Sequence, residues 1–256
     1  MSRFFPKETR GIRLLQVAGI LAFLGLWQAV GEAAPHFYSS PTRVVVELWE
    51  LLTDGRLIPL VVISMWALLL GLVIALVLGV TIGMVMGRYR AVQVALDPYL
   101  AAYYSVPRIA FVPLMVIWFG INREFVIASV VFAATVLLLF ATAAGVREAG
   151  HAYYELARSF QLSQRQQFIK ILLPGAVPFI ATGMRLAAQR ALVAVIVAEF
   201  LVGLEGIGLM LREARVILLT DRLFATAIVT MFMGMAVVGV TAMVERRLSS
   251  WRPQVF

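Results

Sequence analysis

Residues 155–174 read ELARSFQLSQRQQFIKILLP, a polar stretch in a chain that is otherwise apolar. Glu155, Arg158, Arg165 and Lys170 stand in it, and Pro174 closes it just before the next apolar run. The 256 residues are 62% hydrophobic and 14% charged, with a mean hydropathy of +0.92, whereas soluble domains hold about 45–50% apolar residues. Charge-free runs of 18, 31, 22 and 22 residues occupy 14–31, 57–87, 125–146 and 223–244. About 20 predominantly apolar residues let a helix cross a bilayer. Each run therefore reads as a membrane helix, and the quoted stretch as a segment that a multi-span protein keeps outside the bilayer.

Two further apolar regions are interrupted by charge. One contains Arg108, the other Arg185 and Arg190. Including them gives an all-α membrane protein of six transmembrane helices, at about 12–31, 60–86, 98–120, 124–146, 176–200 and 223–245. The quoted stretch then falls in a loop over 147–175, and 1–256 forms a single membrane domain. The runs are continuous rather than alternating over about ten residues, which argues against a barrel. The first run exceeds the 7–15 residues of a secretory h-region, and Gly31-Glu32-Ala33-Ala34 makes a poor cleavage site. A retained first helix is expected.

Orientation follows from the bias of Lys and Arg toward the cytoplasmic side. With six spans, thirteen of the 22 basic residues lie on the side of the two termini, six on the opposite side and three within spans. Both termini and residues 147–175 are thus expected in the cytoplasm. The same bias accounts for the net charge of +8 without nucleic acid. No cysteine is present, so thiolate and disulfide chemistry are excluded.

No enzymatic constellation emerges. The two histidines, His36 and His151, are expected on opposite sides of the membrane, and no G-x-S-x-G is found. The only lysines, Lys7 and Lys170, follow Pro6 and Ile169, so neither completes G-x-x-x-x-G-K-[ST]. This chain does not bind ATP through such a loop, and any ATP-driven step belongs to another subunit. What stands out instead is charge within spans: Arg108, Arg185, Arg190 and Glu199. An ion at the bilayer centre costs at least a few kcal/mol, so such residues face a bundle interior or a pathway. Arg190 lies about 22 Å along the fifth span from Gly175, at 1.5 Å per residue. Arg108, Arg190 and Glu199 are therefore candidates for a path or gate. The competing readings are a structural pair between Arg190 and Glu199 and snorkelling of Arg185 to the surface.

Several smaller features organise the rest. In HFYSSPTRVVVELWELLTDG, Ser40 and Pro41 suit a helix start, Val45, Trp49 and Leu52 recur at helical spacing, and Gly55 suits the end. Gly79, Gly83 and Gly87 form a row that allows close helix packing, within this chain or between chains. Pro98, Pro107 and Pro113 disturb the third span. Gly203, Gly206 and Gly208 suggest a tight turn into a short helix on the outer side.

ELARSFQLSQRQQFIKILLP resembles the EAA loop of ABC-importer permeases, whose pattern is E-A-A, three residues, G, nine residues, I-x-L-P. Glu155 and Ala157 match, Leu156 replaces the middle Ala, and Ile171, Leu173 and Pro174 fall at the expected distance. The glycine of the pattern falls on Gln161. With a side chain there, a turn built differently from the family's, on ordinary helical or bridge angles, is expected. The likeness covers roughly residues 38 to 247. SPTRVVVELWELLTDG, VPRIAFVPLMVIWFGI, GMRLAAQRALVAVIVAEF and GIGLMLREA resemble the sulfonate, taurine, nitrate and bicarbonate branch of these permeases.

The resemblance implies the type I importer fold and a set of partners. These are a second permease copy, two ATP-binding subunits that carry ATP and Mg, and a substrate-binding protein, around a bacterial inner-membrane permease that itself binds no cofactor. It also implies that Glu155, Leu156, Ala157, Phe160, Gln161, Ile171, Leu173 and Pro174 belong to the ATPase-coupling segment. Tyr153, Leu156, Phe160 and Leu162 offer it an apolar contact set, and Arg158, Arg165 and Lys170 a charged rim. The expected solute is a small anion such as a sulfonate, taurine or nitrate. A thiamine-precursor importer is the alternative within the branch. An ion-driven secondary transporter is the alternative outside it; that class calls for an internal repeat and a membrane carboxylate, for which Glu199 is the only candidate.

Overall fold

The computed structural model describes residues 8–35 and 37–249, and the side chains of all of these except 8–10, 13, 108 and 151–158. Among the described residues the regular elements are all helical. They are α1 (Glu8–Ala33), α2 (Pro41–Thr53), α3 (Leu57–Arg88), α4 (Arg90–Ser105), α5 (Val112–Phe119), α6 (Arg123–Ser159), α7 (Gln164–Gln167), α8 (Leu173–Val202), α9 (Ile207–Val216) and α10 (Thr220–Leu248). A 3₁₀ turn, Arg108–Phe111, leads into α5, and a π turn, Phe168–Leu172, leads into α8.

Four segments are long and apolar enough to cross a membrane: Leu14–Ala33, Leu57–Arg88, Arg123–Gly150 and Thr220–Leu248. Two bent pairs raise the number to six if each counts as one span. Arg90–Ser105 meets Ile109–Phe119 at 93°, and Gln164–Val202 meets Ile207–Val216 at 46°. The third span expected over 98–120, with its prolines disturbing it, is two short helices meeting at a sharp corner. Its prolines explain the break: Pro98 lies inside α4, Pro107 sits in extended geometry at the corner, and Pro113 occupies the first turn of α5. A proline pushes its predecessor out of the helical region and removes a backbone donor.

The chain forms two compact units, Met1–Pro59 with Met210–Thr230, and Leu60–Leu209 with Met231–Phe256. In the first, Arg43 closes the turn between α1 and α2. Its guanidinium donates to the carbonyls of Gly31 (2.8 Å), Tyr38 (2.7 Å) and Pro35 (3.1 Å), and lies 3.6 Å from Asp221. Arg222 donates to Glu47 at 2.5 Å. Helix α2 starts after Ser40 with Pro41 in its first turn, as its sequence implies, but the Ser40 side chain makes no cap and accepts instead from Arg43 Nε at 3.0 Å. The row Val45, Trp49 and Leu52 is its exposed face; Val44 and Leu51 are the buried residues.

In the second unit α6 packs against both α3 and α8, through glycines on every helix. The row on α3 meets α6 inside the chain. A Cβ on Gly79 would stand 2.6 Å from the Leu138 Cβ, one on Gly83 2.6 Å from the Leu139 carbonyl oxygen, and one on Gly87 2.7 Å from the Val146 Cβ. On the other side of α6, Gly145 faces Phe179, and Gly183 faces Ala141. Small residues let these backbones approach, and dispersion between closely packed atoms replaces the missing hydrophobic drive. The outer faces are apolar: Val62, Val73 and Val77 on α3 and Met231, Phe232 and Met235 on α10 are all more than half exposed. Such faces belong against lipid or another apolar surface.

Candidate functional site

Helix α8 departs from that pattern. Between its two ends, from Gly175 to Phe200, the exposed residues are Thr182, Arg185, Leu186, Gln189, Arg190 and Val193, spaced so that they share one face of the helix. Four of the six are polar or charged. The opposite face, Ala187, Ala188, Ala191, Val195 and Ala198, is buried and small. Arg185 is paired: it lies 3.3 Å from Glu245 of α10, whose other oxygen accepts from the Thr182 hydroxyl at 2.7 Å. Arg185 thus reaches a carboxylate just beyond the charge-free run of α10, and Glu245 is a partner that the sequence did not reveal. Arg190, further along the same face, is exposed and has no ion-pair partner among the described residues.

Glu199 lies in a different setting, and the Arg190–Glu199 pair considered from the sequence is not formed. The Glu199 side chain is fully buried. The Ser64 hydroxyl of α3, 2.8 and 2.9 Å from its two oxygens, donates its single proton to the carboxylate. The Gly208 N–H donates to it at 3.0 Å, and the Ile207 N–H donates to Ser64 Oγ at 2.9 Å. Arg123, the first residue of α6, stands 3.6 Å away and also donates to the Glu205 carbonyl at 2.9 Å. The carboxylate therefore satisfies, directly and through Ser64, the free N–H groups at the start of α9, where the helix dipole favours negative charge.

The turn between α8 and α9 is shaped around this group. Gly203 ends α8 in the left-handed region (φ +78°), and Gly206 has φ +152°. A Cβ on Gly206 would fall on the Glu199 carboxyl. The glycines at 203, 206 and 208 thus give the expected tight entry into a short helix. The hydroxyl and the guanidinium that hold it were not read from the sequence. Ser64 alone among small hydroxyl residues in the first half of the 57–87 run was the available cue.

Within the stretch 155–174, residues 155–159 continue α6 and Gln164–Gln167 form the four-residue α7. Helix α6 runs without a break to Ser159, because HAYYELARS contains neither glycine nor proline. Glu155, Leu156 and Ala157 lie on this overhang, with side chains outside the described residues. Phe160 follows and is 69% exposed. Gln161 has φ +48°, so the expectation of ordinary angles at this residue is overturned: glutamine occupies the left-handed geometry of the glycine in the pattern. Ser163 then starts α7 with a capping box. Its hydroxyl accepts from the Gln166 N–H at 3.3 Å, and its own N–H donates to Gln166 Oε1 at 2.9 Å. Ile171 lies in the π turn, and Leu173 and Pro174 open α8. The wide turn accommodates a proline that cannot donate to the preceding turn. Arg108 begins the 3₁₀ turn at the α4–α5 corner, and its side chain lies outside the described residues.

Comparison with known proteins fits this arrangement. Residues 67–250 match the family of binding-protein-dependent transport system inner membrane components. The chain belongs to this family. It is a permease subunit of an ABC importer, a multi-pass inner-membrane component of a system whose ATPase and binding protein are separate chains. It is 34% identical over 235 residues to the "Putative aliphatic sulfonates transport permease protein SsuC" of Escherichia coli (strain K12), covering 92% of this chain and 89% of the relative. It is 29% identical over 250 residues to the taurine transport system permease protein TauC of the same organism, covering 94% and 90%. It is 31% identical over 202 residues to the nitrate import permease protein NrtB of Leptolyngbya laminosa, covering 75% and 71%. A crystal structure of an amino acid ABC transporter shares the fold, with a TM-score of 0.63 at 15% identity, over 78% of this chain and 97% of that one.

Proposed function

We propose that this permease passes a small organic or inorganic anion, of the sulfonate, taurine or nitrate type, between two copies of itself. The observation that carries the reading is the polar face of α8, with Arg190 upon it exposed and without an ion-pair partner among the described residues. A guanidinium exposed about 22 Å into a span is costly against lipid. It is well placed beside a second protein chain or a wet path, where a passing anion gains a charge-assisted hydrogen bond. The names of the relatives in which sulfonates, taurine and nitrate appear support the same charge.

In this reading 1–256 is one permease domain of six spans, with each bent helix pair counted as one and both termini in the cytoplasm. Two ATP-binding subunits, holding ATP and Mg, dock on residues 155–174, and a substrate-binding protein delivers the solute on the other side. Glu155, Leu156, Ala157, Phe160 and Gln161 form the docking end, and Ile171, Leu173 and Pro174 tie it to α8. Closing of the ATPases moves the α6 overhang, and α8 packed along α6 carries that motion to Arg190. Arg108, at the α4–α5 corner, is a second path residue. Glu199 acts on the path indirectly, by fixing the α8–α9 turn.

Uptake of taurine, an alkanesulfonate, nitrate and a neutral pyrimidine by the assembled transporter tests the reading. Arg190→Ala should abolish most anion uptake while leaving assembly and thermal stability near wild type. Arg190→Lys keeps the charge but loses the planar fork, and should restore part of it. Wild-type anion uptake in Arg190→Ala, or preferred uptake of the neutral pyrimidine, refutes the assignment.

A further inference from the structure

A second site lies at the other end of α3. A cleft of about 500 Å³ opens between the C-terminal end of α3 and α7 with the first residue of the π turn that follows it. Val80, Thr81, Met84, Val85 and Phe168 line its mainly apolar part; Arg88 and Arg165 stand with Gln164 and Tyr89 at its polar part. Arg88 donates to the Gln164 side-chain oxygen, and its guanidinium carbon lies 5.5 Å from the centre of the Tyr89 ring. Among the described residues no carboxylate lines the cleft. Neither Arg88 nor Arg165 has an ion-pair partner among the described residues.

The order of these residues along α3 matters. The charge-free run ends at residue 87, so Arg88 marks the level at which the helix leaves the hydrocarbon. Val80 lies eight residues, about 12 Å, deeper. The cleft is thus apolar where acyl chains lie and cationic where headgroups lie. We propose that it holds one anionic phospholipid, with its phosphate between Arg88 and Arg165 and its upper acyl chains along Val80, Met84 and Phe168. A free anion would use only the rim and leave the apolar wall idle. A zwitterionic lipid would bring an ammonium group to two guanidiniums. Because Arg165 and Phe168 belong to the stretch between the ATPase-docking end and α8, the lipid fastens that stretch to α3. The proposal rests on the cytoplasmic assignment of residues 147–175, the leaflet face that anionic lipids enrich.

Native mass spectrometry of the permease–ATPase complex, released from phosphatidylcholine nanodiscs with and without phosphatidylglycerol, provides the test. The wild-type complex should retain phosphatidylglycerol in preference to phosphatidylcholine. Each arginine near an anionic lipid surface contributes about a factor of five, so Arg88→Gln with Arg165→Gln should lower that preference by about 30-fold. Thr81→Trp, which fills the apolar part and keeps both guanidiniums, should lower retention as well and serves where the double variant does not fold. Arg246→Gln removes one positive charge on the same side of the membrane but outside the cleft and should change nothing. Unaltered preference in the double variant or in Thr81→Trp overturns the site, and an equal loss in Arg246→Gln replaces it by diffuse attraction. Displacement of the lipid by millimolar inorganic phosphate makes it a free-anion site and overturns the lipid. Orientation is read separately. With no native cysteine, Lys170→Cys can be probed by an impermeant thiol reagent in sealed cells, and labelling from outside would sink the cytoplasmic assignment whatever the lipid result.

Discussion

Removing one hydroxyl, in Ser64→Ala, should destabilise this permease more than any other Ser→Ala change among its described residues. Two buried bonds disappear together. The Glu199 carboxylate loses a donor at 2.8–2.9 Å, and the Ile207 N–H loses its acceptor at 2.9 Å. A hydrogen bond to a charged group contributes about 1.5–3 kcal/mol, and leaving a buried donor without a partner costs about 1–3 kcal/mol. Allowing for relaxation and for a tighter approach of Arg123, the net loss is about 2–4 kcal/mol. For a chain of this size each kcal/mol lowers Tm by roughly 2–4 °C, so a fall on the order of 5–15 °C is expected. Thermal unfolding of the purified permease in detergent, followed by tryptophan fluorescence, measures it. Ser105→Ala, whose exposed hydroxyl bonds only the Ala101 carbonyl, is the control and should stay within about 0.5 kcal/mol. Glu199→Ala should cost about 3–5 kcal/mol, because it strips the buried network of its only charge acceptor. The double variant should cost less than the two singles summed, by about 1–3 kcal/mol, since the groups share one network. A Ser64→Ala protein that melts with the wild type, or a strictly additive double variant, refutes the latch.

Three further outcomes follow from particular contacts. Gln161→Gly should stabilise the fold by about 0.5–1 kcal/mol, since a left-handed glutamine is strained by roughly 1–2 kcal/mol and glycine returns part of that as unfolded-state entropy; a lower Tm in this variant contradicts the geometry at φ +48°. Gly83→Ala should cost about 1–3 kcal/mol through overpacking against the Leu139 carbonyl, 2.6 Å from the added carbon, whereas Gly19→Ala on α1, with nothing within 4 Å, should be neutral or stabilising; equal effects at the two sites would show that α3 and α6 do not pack as described. Phe160→Asp, at an exposed aromatic beside the turn, should leave Tm within about 0.5 kcal/mol of wild type while ATPase co-purification and solute-stimulated hydrolysis fall, and retention of both would remove Phe160 from the docking surface.

What could be read from the sequence was whatever repeats or punctuates. The four charge-free runs became four spanning segments because length and hydropathy suffice to specify them. The glycine row 79, 83, 87 became the α3–α6 seam, because close approach needs small residues at that spacing. The third span was misjudged at its corner: prolines announce a break but not its angle, and 93° depends on what the two halves pack against. Gln161 was misjudged for a related reason. Local propensity disfavours a left-handed glutamine, yet α6 must stop and reverse before the capping box at Ser163, and tertiary demand prevailed over propensity.

The charges teach the sharper lesson. From sequence, depth along the span set Arg190 and Glu199 apart from Arg185, but nothing told those two from each other. The partners lie 60 residues away at Glu245 for Arg185, and 135 and 76 residues away at Ser64 and Arg123 for Glu199. Ladders of that range leave no local pattern. Once those partners are assigned, Arg185 and Glu199 are bound up in holding helices together, and Arg190 alone among the three is exposed without an ion partner among the described residues. A membrane protein keeps a desolvated charge only where something offsets its cost. For two of these ions the offset lies inside the chain. For Arg190 no described residue of the chain supplies it, which is why the functional reading rests on that residue and not on the more deeply buried carboxylate nine positions along.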